Sequence, residues 1–498
     1  MPNVAEALPV LSPLLALALG ALVVLLLDLL LPARQAYPWW FLVAAAAVVV
    51  AGGYLPGLWR LRPAPAFGGA LVLDRLALAT AAVILVAALA TVLLSVHRGE
   101  EDVSGYLALV LWAAMGMAVL AAAGNLITVF LGLELLSLAL YVLVAFKPGS
   151  RVAWEAALKY FFLGSAAAGF LLFGFALMYG ASGSLDLAAI GQYARTGNIT
   201  VLYRVGIGLA VVGYAFKLAL APFHTWAPDA YQGAPTPVTA FMSVGTKAAA
   251  FAALTRFLIA AVPPGAAPAY LLPLTVLALL SMLVGALGAI RQTHMKRLMA
   301  YSGISHAGYL FMGLAGLEPY GVAAGIFYLV AYLAANTAGF AAMLYLERLG
   351  EDGDDLAAYA GLFHRRPALA AAMTLALAGL AGIPPTGGLP GKLFLAVAAA
   401  RAQAWSLLVM LMVTTGISAY AYFRIVASMM RQVETAPRRV TAGVPAAGGL
   451  APDTGPLALP PGVVRWVTGL VLVASVLGVL VTGVFPSLIL DLAVRMLP

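Results

Sequence analysis

The sequence of 498 residues contains no cysteine, and only 9% of its residues are charged. The absence of cysteine excludes disulfides and thiolate-held iron–sulfur clusters in this chain. Neither a GxGxxG fingerprint between a strand and a helix nor a GxxxxGK[ST] loop is present, so no nucleotide site is predicted. The five histidines are scattered, without an HxxxH pair or a carboxylate cluster, which argues against a metal centre. We therefore expect no cofactor to be bound by this chain.

Apolar residues make up 64% of the sequence, whereas soluble domains are about 45–50% apolar. This composition predicts a polytopic membrane protein that is embedded in the lipid bilayer. The net charge of +8 is explained by Lys and Arg in loops between apolar runs, so nucleic-acid binding is not expected. The N-terminus lacks a basic region and carries Glu6, which predicts a first membrane span rather than a cleaved signal peptide.

Apolar runs of about 18–25 residues are long enough to cross a bilayer core of about 30 Å. They predict an all-α polytopic membrane protein with about 14 transmembrane helices. The predicted spans are 9–31, 37–57, 75–96, 105–123, 124–146, 156–180, 204–222, 235–260, 269–290, 296–316, 320–346, 368–400, 404–430 and 464–490.

Basic residues are concentrated in the loops that follow odd-numbered spans. Among them are Lys147, Arg151, Arg291, Lys296, Arg297, Arg348, Arg365 and Arg366. Because Lys and Arg accumulate on the cytoplasmic side of a membrane, both termini are predicted to face outward. The acidic run Glu351 to Asp355 predicts a solvated loop.

Two spans are interrupted by proline-rich strings, span seven at LAPFHTWAP and span twelve at AGIPPTGGLPGK. Pro222 and Pro384 lie five spans apart, so the two halves have opposite orientations. Broken helices at matching places are typical of inverted-repeat transporters with a site at mid-membrane. The predicted division is 1–104 (spans one to three), 105–260 and 261–430 (two inverted five-helix repeats), 431–463 (an irregular Pro/Gly/Ala-rich loop) and 464–498 (the last helix).

Three ionisable residues lie deep in the first repeat. Glu134 is at the centre of an apolar run of 22 residues, Lys217 immediately precedes the first break, and Lys247 lies in the middle of span eight. Intramembrane acids and bases mark ion or proton pathways. A carboxylate near a buried lysine raises the pKa of the amine, whereas desolvation lowers it. Moving the carboxylate would therefore load or release a proton on the lysine.

Four further residues are candidates for the same pathway. Lys392 follows the second break, where freed backbone carbonyls are tolerated only beside a cavity. His224 lies in the first break and His306 in span ten, and each fits a structural histidine nearly as well as a proton relay. Lys159 has Glu155 four residues earlier, an ordinary interfacial ion pair, although its place near the start of span six also fits a relay.

At these residues the chain resembles the antiporter-like membrane subunits of respiratory complex I and of Mrp-type cation antiporters. The likeness covers most of residues 105–400 and is strongest to N-type complex I subunits, since the lateral helix of L-type and the HVEAP string of M-type subunits are missing. It rests on LGLELLSLALYVLVAF, AALKYFFLGS, FKLALAPFHTWAPDAYQGAPTPVTAFMSVGTKAAAF, KRLMAYSGISHAGYLFMG and LAGIPPTGGLPGKLFL. Three positions depart from the family pattern: Gln232, Thr246 and Pro390, of which the last is expected to extend the second break.

The resemblance implies a proton-translocating subunit of NADH–quinone oxidoreductase in a bacterial inner membrane, with both termini on the periplasmic side. Glu134 would pair with Lys217, Lys247 would be the central lysine and Lys392 the lysine of the exit half. Lys159, His224 and His306 would lie on a connecting polar axis.

By the same resemblance, this chain is part of a translocase without a redox centre of its own. NADH, FMN, iron–sulfur clusters and quinone would be bound by partner subunits, and the other membrane subunits would be its neighbours. The alternative is a subunit of an Mrp-like or hydrogenase-linked cation/proton antiporter. The lack of a second mid-membrane acid cluster favours protons, since hard cations require several oxygen ligands.

Overall fold

The computed structural model describes residues 4–61, 65–97, 102–197, 199–263, 267–432 and 460–494, and these are almost entirely helical. The α-helices of these ranges are α1 Val4–Leu30, α2 Ala33–Arg60, α3 Arg75–Leu94, α4 Val103–Ala122, α5 Leu126–Val144, α6 Arg151–Ser182, α7 Leu187–Arg195, α8 Val201–Leu218, α9 Trp226–Gly233, α10 Thr236–Ala261, α11 Ala267–Ile290, α12 Met295–Phe311, α13 Pro319–Glu347, α14 Leu362–Arg365, α15 Pro367–Ala381, α16 Gly388–Arg401, α17 Trp405–Met430, α18 Pro461–Val484 and α19 Pro486–Val494. Short 3₁₀ turns cover Ser95–His97, Met312–Leu314 and Leu356–Tyr359, and a two-stranded antiparallel ribbon pairs β1 Pro65–Ala66 with β2 Leu71–Val72.

Twelve helices within the described ranges are long and apolar enough to cross a membrane, which confirms a multi-pass membrane protein. They are α1, α2, α3, α4, α5, α6, α8, α10, α11, α13, α17 and α18. The predicted tenth and twelfth spans are not among them. The tenth is α12, which has only 17 residues, and the twelfth is divided between α15 and α16. A count of 14 therefore stays a prediction.

Helices α10 and α13 form the centre of the bundle, and both are buried along most of their length. Helix α10 packs against α3, α4 and α13, while α1 and α18 have the smallest shares of buried residues among the twelve long helices. Two hydroxyl groups of α10 are satisfied within the helix: Thr246 donates to the Met242 carbonyl at 2.6 Å and Thr255 to that of Phe251 at 2.7 Å. This internal pairing lets a partly polar helix lie in an apolar interior.

The first break separates α8 from α9. Helix α8 ends at Ala219, which takes a left-handed conformation with φ of 57°, and Pro222 follows. Neighbouring side chains pair with backbone groups released by the break. The Trp226 indole donates to the Phe216 carbonyl at 3.0 Å, and the Ala221 amide donates to the Ser281 hydroxyl at 2.8 Å. The irregular backbone from Ala219 to Ala221 is thus buried in protein, whereas Pro222 and Thr225 are exposed.

The second break, between α15 and α16, is shorter than expected. Gly382 ends α15 in the left-handed region with φ of 83°, and α16 begins at Gly388. The expectation that Pro390 extends this break is wrong. Pro390 lies in the first turn of α16, where proline is tolerated because the amide it lacks has no partner within the helix.

Two of the predicted loops are the acidic run 351–355 and the Pro/Gly/Ala-rich segment before the last long helix. The acidic run 351–355 is a loop, but it is only partly solvated, because Asp354 accepts a hydrogen bond from the Lys296 amide at 2.8 Å at the start of α12. Most of the predicted irregular loop 431–463, namely residues 433–459, lies outside the described residues.

Candidate functional site

Glu134 of α5 and Lys217 of α8 lie within electrostatic range of each other. The Lys217 ammonium donates to the Ser137 hydroxyl at 2.9 Å, and Ser137 is one turn along α5 from Glu134. Glu134 is half-buried, and its Oε1 has no hydrogen-bond partner among the described residues. Its carboxylate is thus close enough to influence the ammonium electrostatically and free to change partner.

Lys217 is also held by Tyr160 of α6. Its ammonium donates to the Tyr160 hydroxyl at 3.0 Å, and only 2% of the lysine is exposed. The Tyr160 ring stacks on Trp226 of α9 with centroids 4.3 Å apart. The short helix α9 therefore touches the Lys217 site at its N-terminal end.

The other end of α9 reaches Lys247, the central lysine of α10. The Lys247 ammonium donates to the Tyr231 hydroxyl at 3.2 Å and to the Ser243 carbonyl at 3.1 Å. It also lies 5.8 Å from the ring centroids of both Tyr231 and Tyr332, which is within cation–π distance. These contacts are neutral, so the charge of Lys247 has hydroxyl, carbonyl and aromatic partners but no ion-pair partner among the described residues.

Glu134, Lys217 and Lys247 begin a row of buried polar groups, and His306 of α12 continues this row beyond Lys247. Its Nδ1 hydrogen-bonds with the hydroxyl of Tyr328, and its ring lies 4.9 Å from that of Tyr332 and 5.4 Å from that of Tyr309. His306 is buried, with 4% of its surface exposed. The structure thus places this histidine between the Lys247 ammonium and the second break, with aromatic hydroxyls on both sides.

Lys392 lies just after the second break, on α16. Its ammonium donates to the Ala381 carbonyl at 2.8 Å, one of the groups that the end of α15 leaves unpaired. It lies 5.1 Å from the Tyr309 ring centroid and donates weakly, at 3.4 Å, to Thr415 of α17. Tyr309 therefore bridges His306 and Lys392, while Thr415 leads from Lys392 towards the outer face of α17.

Two sequence candidates lie apart from this row. Lys159 is on the outside of α6, paired with Glu155 at 2.7 Å and with Asp229 of α9 at 3.0 Å. The predicted Glu155 ion pair is therefore present, together with a second partner. His224 is half-buried in the first break, and its Nδ1 has no partner among the described residues.

Sequence reasoning missed the tyrosines. Tyr160, Tyr231, Tyr328 and Tyr332 each contact a buried lysine or His306, and all four are buried. A signal was available for two of them, because Tyr328 and Tyr332 are four residues apart and so share one face of α13. Buried tyrosines usually pair their hydroxyl, so two on one face of an apolar helix predict polar partners opposite.

Together the fold and these groups define a class of protein. Amines, an imidazole and phenols succeed one another at membrane depth, and such groups can accept and donate protons in turn. The chain is a polytopic membrane protein with ionisable residues buried at membrane depth, where such groups are rare.

Comparison with known proteins identifies the family. Residues 123–418 match the family described as NADH:quinone oxidoreductase/Mrp antiporter, TM, and the chain belongs to this family. It is 50% identical over 97% of its length to NADH-quinone oxidoreductase subunit N 1 of Symbiobacterium thermophilum, covering 96% of that protein.

Solved structures agree with this assignment. A chain of respiratory complex I from Thermus thermophilus with bound aureothin is similar at 37% identity and a TM-score of 0.78, over 96% of this chain and 98% of that one. A chain of the Mrp complex from Dietzia sp. DQ12-45-1b is similar at 25% identity and a TM-score of 0.80, over 99% and 97% of the two chains.

Proposed function

We propose that this chain is a proton-translocating membrane subunit of an NADH–quinone oxidoreductase, and that protons move along the buried row from Glu134 to Lys392. The observation that carries the proposal is the succession of buried polar groups along that row, in which α9 spans the interval between the Lys217 and Lys247 sites. Each lysine contacts a tyrosine, and Tyr332, His306 and Tyr309 connect the surroundings of Lys247 to Lys392. Electron transfer, NADH, FMN, iron–sulfur clusters and quinone belong to partner subunits in this proposal.

Each residue has a role in the proposed cycle. Glu134 approaches Lys217 or withdraws from it, and this movement changes the electrostatic field along the row. Two charges about 4 Å apart interact by about 4 kcal/mol at an effective dielectric constant of 20, which is enough to move a proton between neighbouring sites. Lys247 then alternates between ammonium and amine, and Lys392 releases the proton beyond His306. The outlying Lys159 positions α9 through its ion pair with Asp229.

The alternative is a cation/proton antiporter subunit of an Mrp-like complex, to which the structural likeness also extends. Proton transfer fits the site better because the partners of Lys247 and Lys392 are hydroxyls, carbonyls and rings. A hard cation such as Na⁺ prefers several oxygen ligands, with carboxylates among them. Dependence of transport on Na⁺ separates the two functions.

The same proposal includes the finer architecture. If α12 and the broken helix α15–α16 also cross the membrane, the 12 long helices become 14 spans. Spans four to eight and nine to thirteen are then two inverted repeats, each with one broken helix. Both termini lie on the periplasmic side, because the loops rich in Lys and Arg gather at the other end.

The test uses the assembled complex in inverted membrane vesicles. NADH-driven quinone reduction and vesicle acidification are measured in Na⁺-free medium for the wild type and for Glu134→Gln. Gln keeps the shape of the side chain but cannot carry the charge that acts on Lys217. The matched control is Glu155→Gln, which removes an exposed carboxylate of α6.

We expect Na⁺-free acidification by the wild type, a marked loss in Glu134→Gln and no loss in Glu155→Gln. Acidification that requires Na⁺ would support the antiporter alternative. Full acidification by an assembled Glu134→Gln complex would contradict the role of the carboxylate.

A further inference from the structure

A second cluster of charged groups lies at the Lys- and Arg-rich end of the bundle, outside the row described above. Glu347, at the end of α13, accepts a hydrogen bond from the Thr236 hydroxyl at 2.9 Å. The Lys296 ammonium, at the start of α12, donates to the Ala234 carbonyl at 3.1 Å, and only 2% of this lysine is exposed. The cluster therefore surrounds the junction between α9 and the N-terminus of α10.

Lys147, in the loop after α5, completes the cluster. Its ammonium lies beside that of Lys296 and within electrostatic range of Glu347 and Asp354. Burial and the neighbouring charge of Lys296 together lower the pKa of Lys147 to about 7, and Glu347 opposes both effects. A lysine with such a pKa exchanges its proton at physiological pH, which an ordinary surface lysine does not.

A stripe of hydroxyl groups runs from this cluster towards the centre of the membrane. Thr236, Thr239 and Ser243 precede Lys247 on α10 at intervals of three, four and four residues, so all four side chains share one face. None of the four is more than 4% exposed. With a rise of 1.5 Å per residue, the stripe spans about 16 Å.

The stripe ends at the contacts of Lys247. Thr239 donates to the Tyr231 carbonyl at 3.0 Å, and the Tyr231 hydroxyl and the Ser243 carbonyl both accept from the Lys247 ammonium. Polar groups one turn apart are near enough for single water molecules to bridge them. The stripe and the half-helix α9 thus form two sides of one polar track.

We propose that Glu347, with Lys296 and Lys147 beside it, is the proton-loading site of this chain, and that the α10 hydroxyl stripe leads from it to Lys247. This inference rests on the proposed function. The Glu347 carboxylate takes a proton from bulk water at the Lys- and Arg-rich end and becomes a carboxylic acid. The proton passes along the bridged hydroxyls to the neutral amine of Lys247. An ammonium forms there, and the carboxylate of Glu347 is restored.

Other charged groups face the cluster and are part of its electrostatics. Asp354 accepts from the Lys296 amide, and His294 lies 3.7 Å from the same carboxylate. Tyr359 is buried beside the acidic loop and donates to the Gly353 carbonyl at 2.7 Å. The carboxylates of Glu347 and Asp354 balance the charges of the two lysines.

The first test is a pair of variants that keep the shape of the track but block transfer. Glu347→Gln still accepts from Thr236 but cannot be protonated, and Thr239→Val removes one hydroxyl of the stripe. The control for Glu347→Gln is Asp352→Asn, which changes an exposed carboxylate in the acidic loop after α13. The control for Thr239→Val is Thr255→Val. Thr255 is equally buried on α10 and makes the same kind of bond to its own helix, but it lies beyond Lys247.

Vesicle acidification per NADH oxidised is measured for each variant and normalised to the amount of assembled complex. We expect a loss of about 100-fold or more in Glu347→Gln, in line with the usual effect of removing a proton-transfer group, and a smaller loss in Thr239→Val. Both controls should match the wild type. Normal acidification in Glu347→Gln would overturn the loading site, and equal losses in Thr239→Val and Thr255→Val would overturn the stripe.

The pH profile provides a readout that a merely structural cluster would not change. The wild type should show an inflection in acidification rate near pH 7. Lys147→Gln and Lys147→Arg, which fix the site as neutral or charged, should both lose that inflection. If Glu347→Gln does not assemble, this profile decides the question: an unchanged inflection in both Lys147 variants overturns the proposal.

A further variant separates this inference from the proposed function. Lys247→Ala interrupts the main row regardless of where protons are loaded. Loss of pumping in Lys247→Ala with normal pumping in Glu347→Gln would show that only the loading site is wrong. Normal pumping in both would contradict the proposed function itself.

Discussion

Gly303 of α12 offers a sharp test of the contacts around Lys247, because a single methyl group there would occupy the space used by the lysine. A Cβ at this position would lie 3.1 Å from the Tyr332 hydroxyl and 3.2 Å from the Lys247 Nζ. Both atoms are the ends of flexible side chains, so they can yield by a few tenths of an ångström. The change Gly303→Ala therefore shifts the ammonium and the phenol without moving the backbone.

The expected effect on folding differs from the effect on transfer. An alanine in a helix is favoured over glycine by up to about 1 kcal/mol, so the variant should assemble normally. Misplacing a reacting group by about 1 Å costs up to about 100-fold in rate, and a shift of a few tenths of an ångström should cost about tenfold. Gly285 would be a poor choice, because a Cβ there lies 2.4 Å from the backbone amide of Ser305.

The assay is vesicle acidification per NADH oxidised, with Gly208→Ala as control. Gly208 lies on α8 with open space around the position of its missing Cβ, so the same substitution adds a methyl group without a contact. We expect a loss in Gly303→Ala and none in Gly208→Ala. Wild-type acidification by an assembled Gly303→Ala complex would refute the reasoning that Lys247 uses its present contacts during transfer.

The remaining predictions concern the neighbouring contacts. Asp229→Asn weakens the bonds from Arg297, at 2.6 Å, and from Lys159. The change should destabilise α9 by about 1–2 kcal/mol, measured as faster hydrogen exchange of the α9 amides. Unchanged exchange would contradict the role of Asp229 as an anchor of α9. Tyr309→Phe keeps the ring near Lys392 but removes the hydroxyl that donates to Thr414 at 3.0 Å, and should slow pumping severalfold, whereas a normal rate would exclude that hydroxyl from the pathway. The low folded-state pKa of Lys147 means that the unfolded chain binds more protons between about pH 7 and 10, so stability should rise with pH across that window, and Lys147→Gln should lose this slope in thermal melts.

The sequence predicts the fold to the extent that hydropathy and proline determine it. Apolar runs locate each long helix, and the proline-rich strings locate both breaks, since proline cannot continue a helix interior. The position of Pro390 could not be predicted, because proline is compatible both with a break and with the first turn of a helix. In the structure α16 begins at Gly388, where the backbone packs so closely on the Gly379 carbonyl oxygen that a side chain would clash with it.

The lysines could be found because charge is rare at membrane depth. The tyrosine partners of these lysines could not be found from the sequence. A tyrosine in an apolar helix has the same sequence environment whether it packs against apolar side chains or hydrogen-bonds with an amine. The surroundings of Lys217 show the same limit. Its ammonium donates to Ser137, one turn along α5 from Glu134, because of the rotation of α5, which hydropathy alone does not specify.

The central claim is that the buried lysine row carries protons, and Lys247→Ala tests it most directly. The protons translocated per NADH oxidised are measured in Na⁺-free vesicles that contain equal amounts of wild-type or variant complex. We predict a clear fall in this ratio for Lys247→Ala, because the amine that accepts and releases the proton is gone. An unchanged ratio in the fully assembled variant would contradict the account.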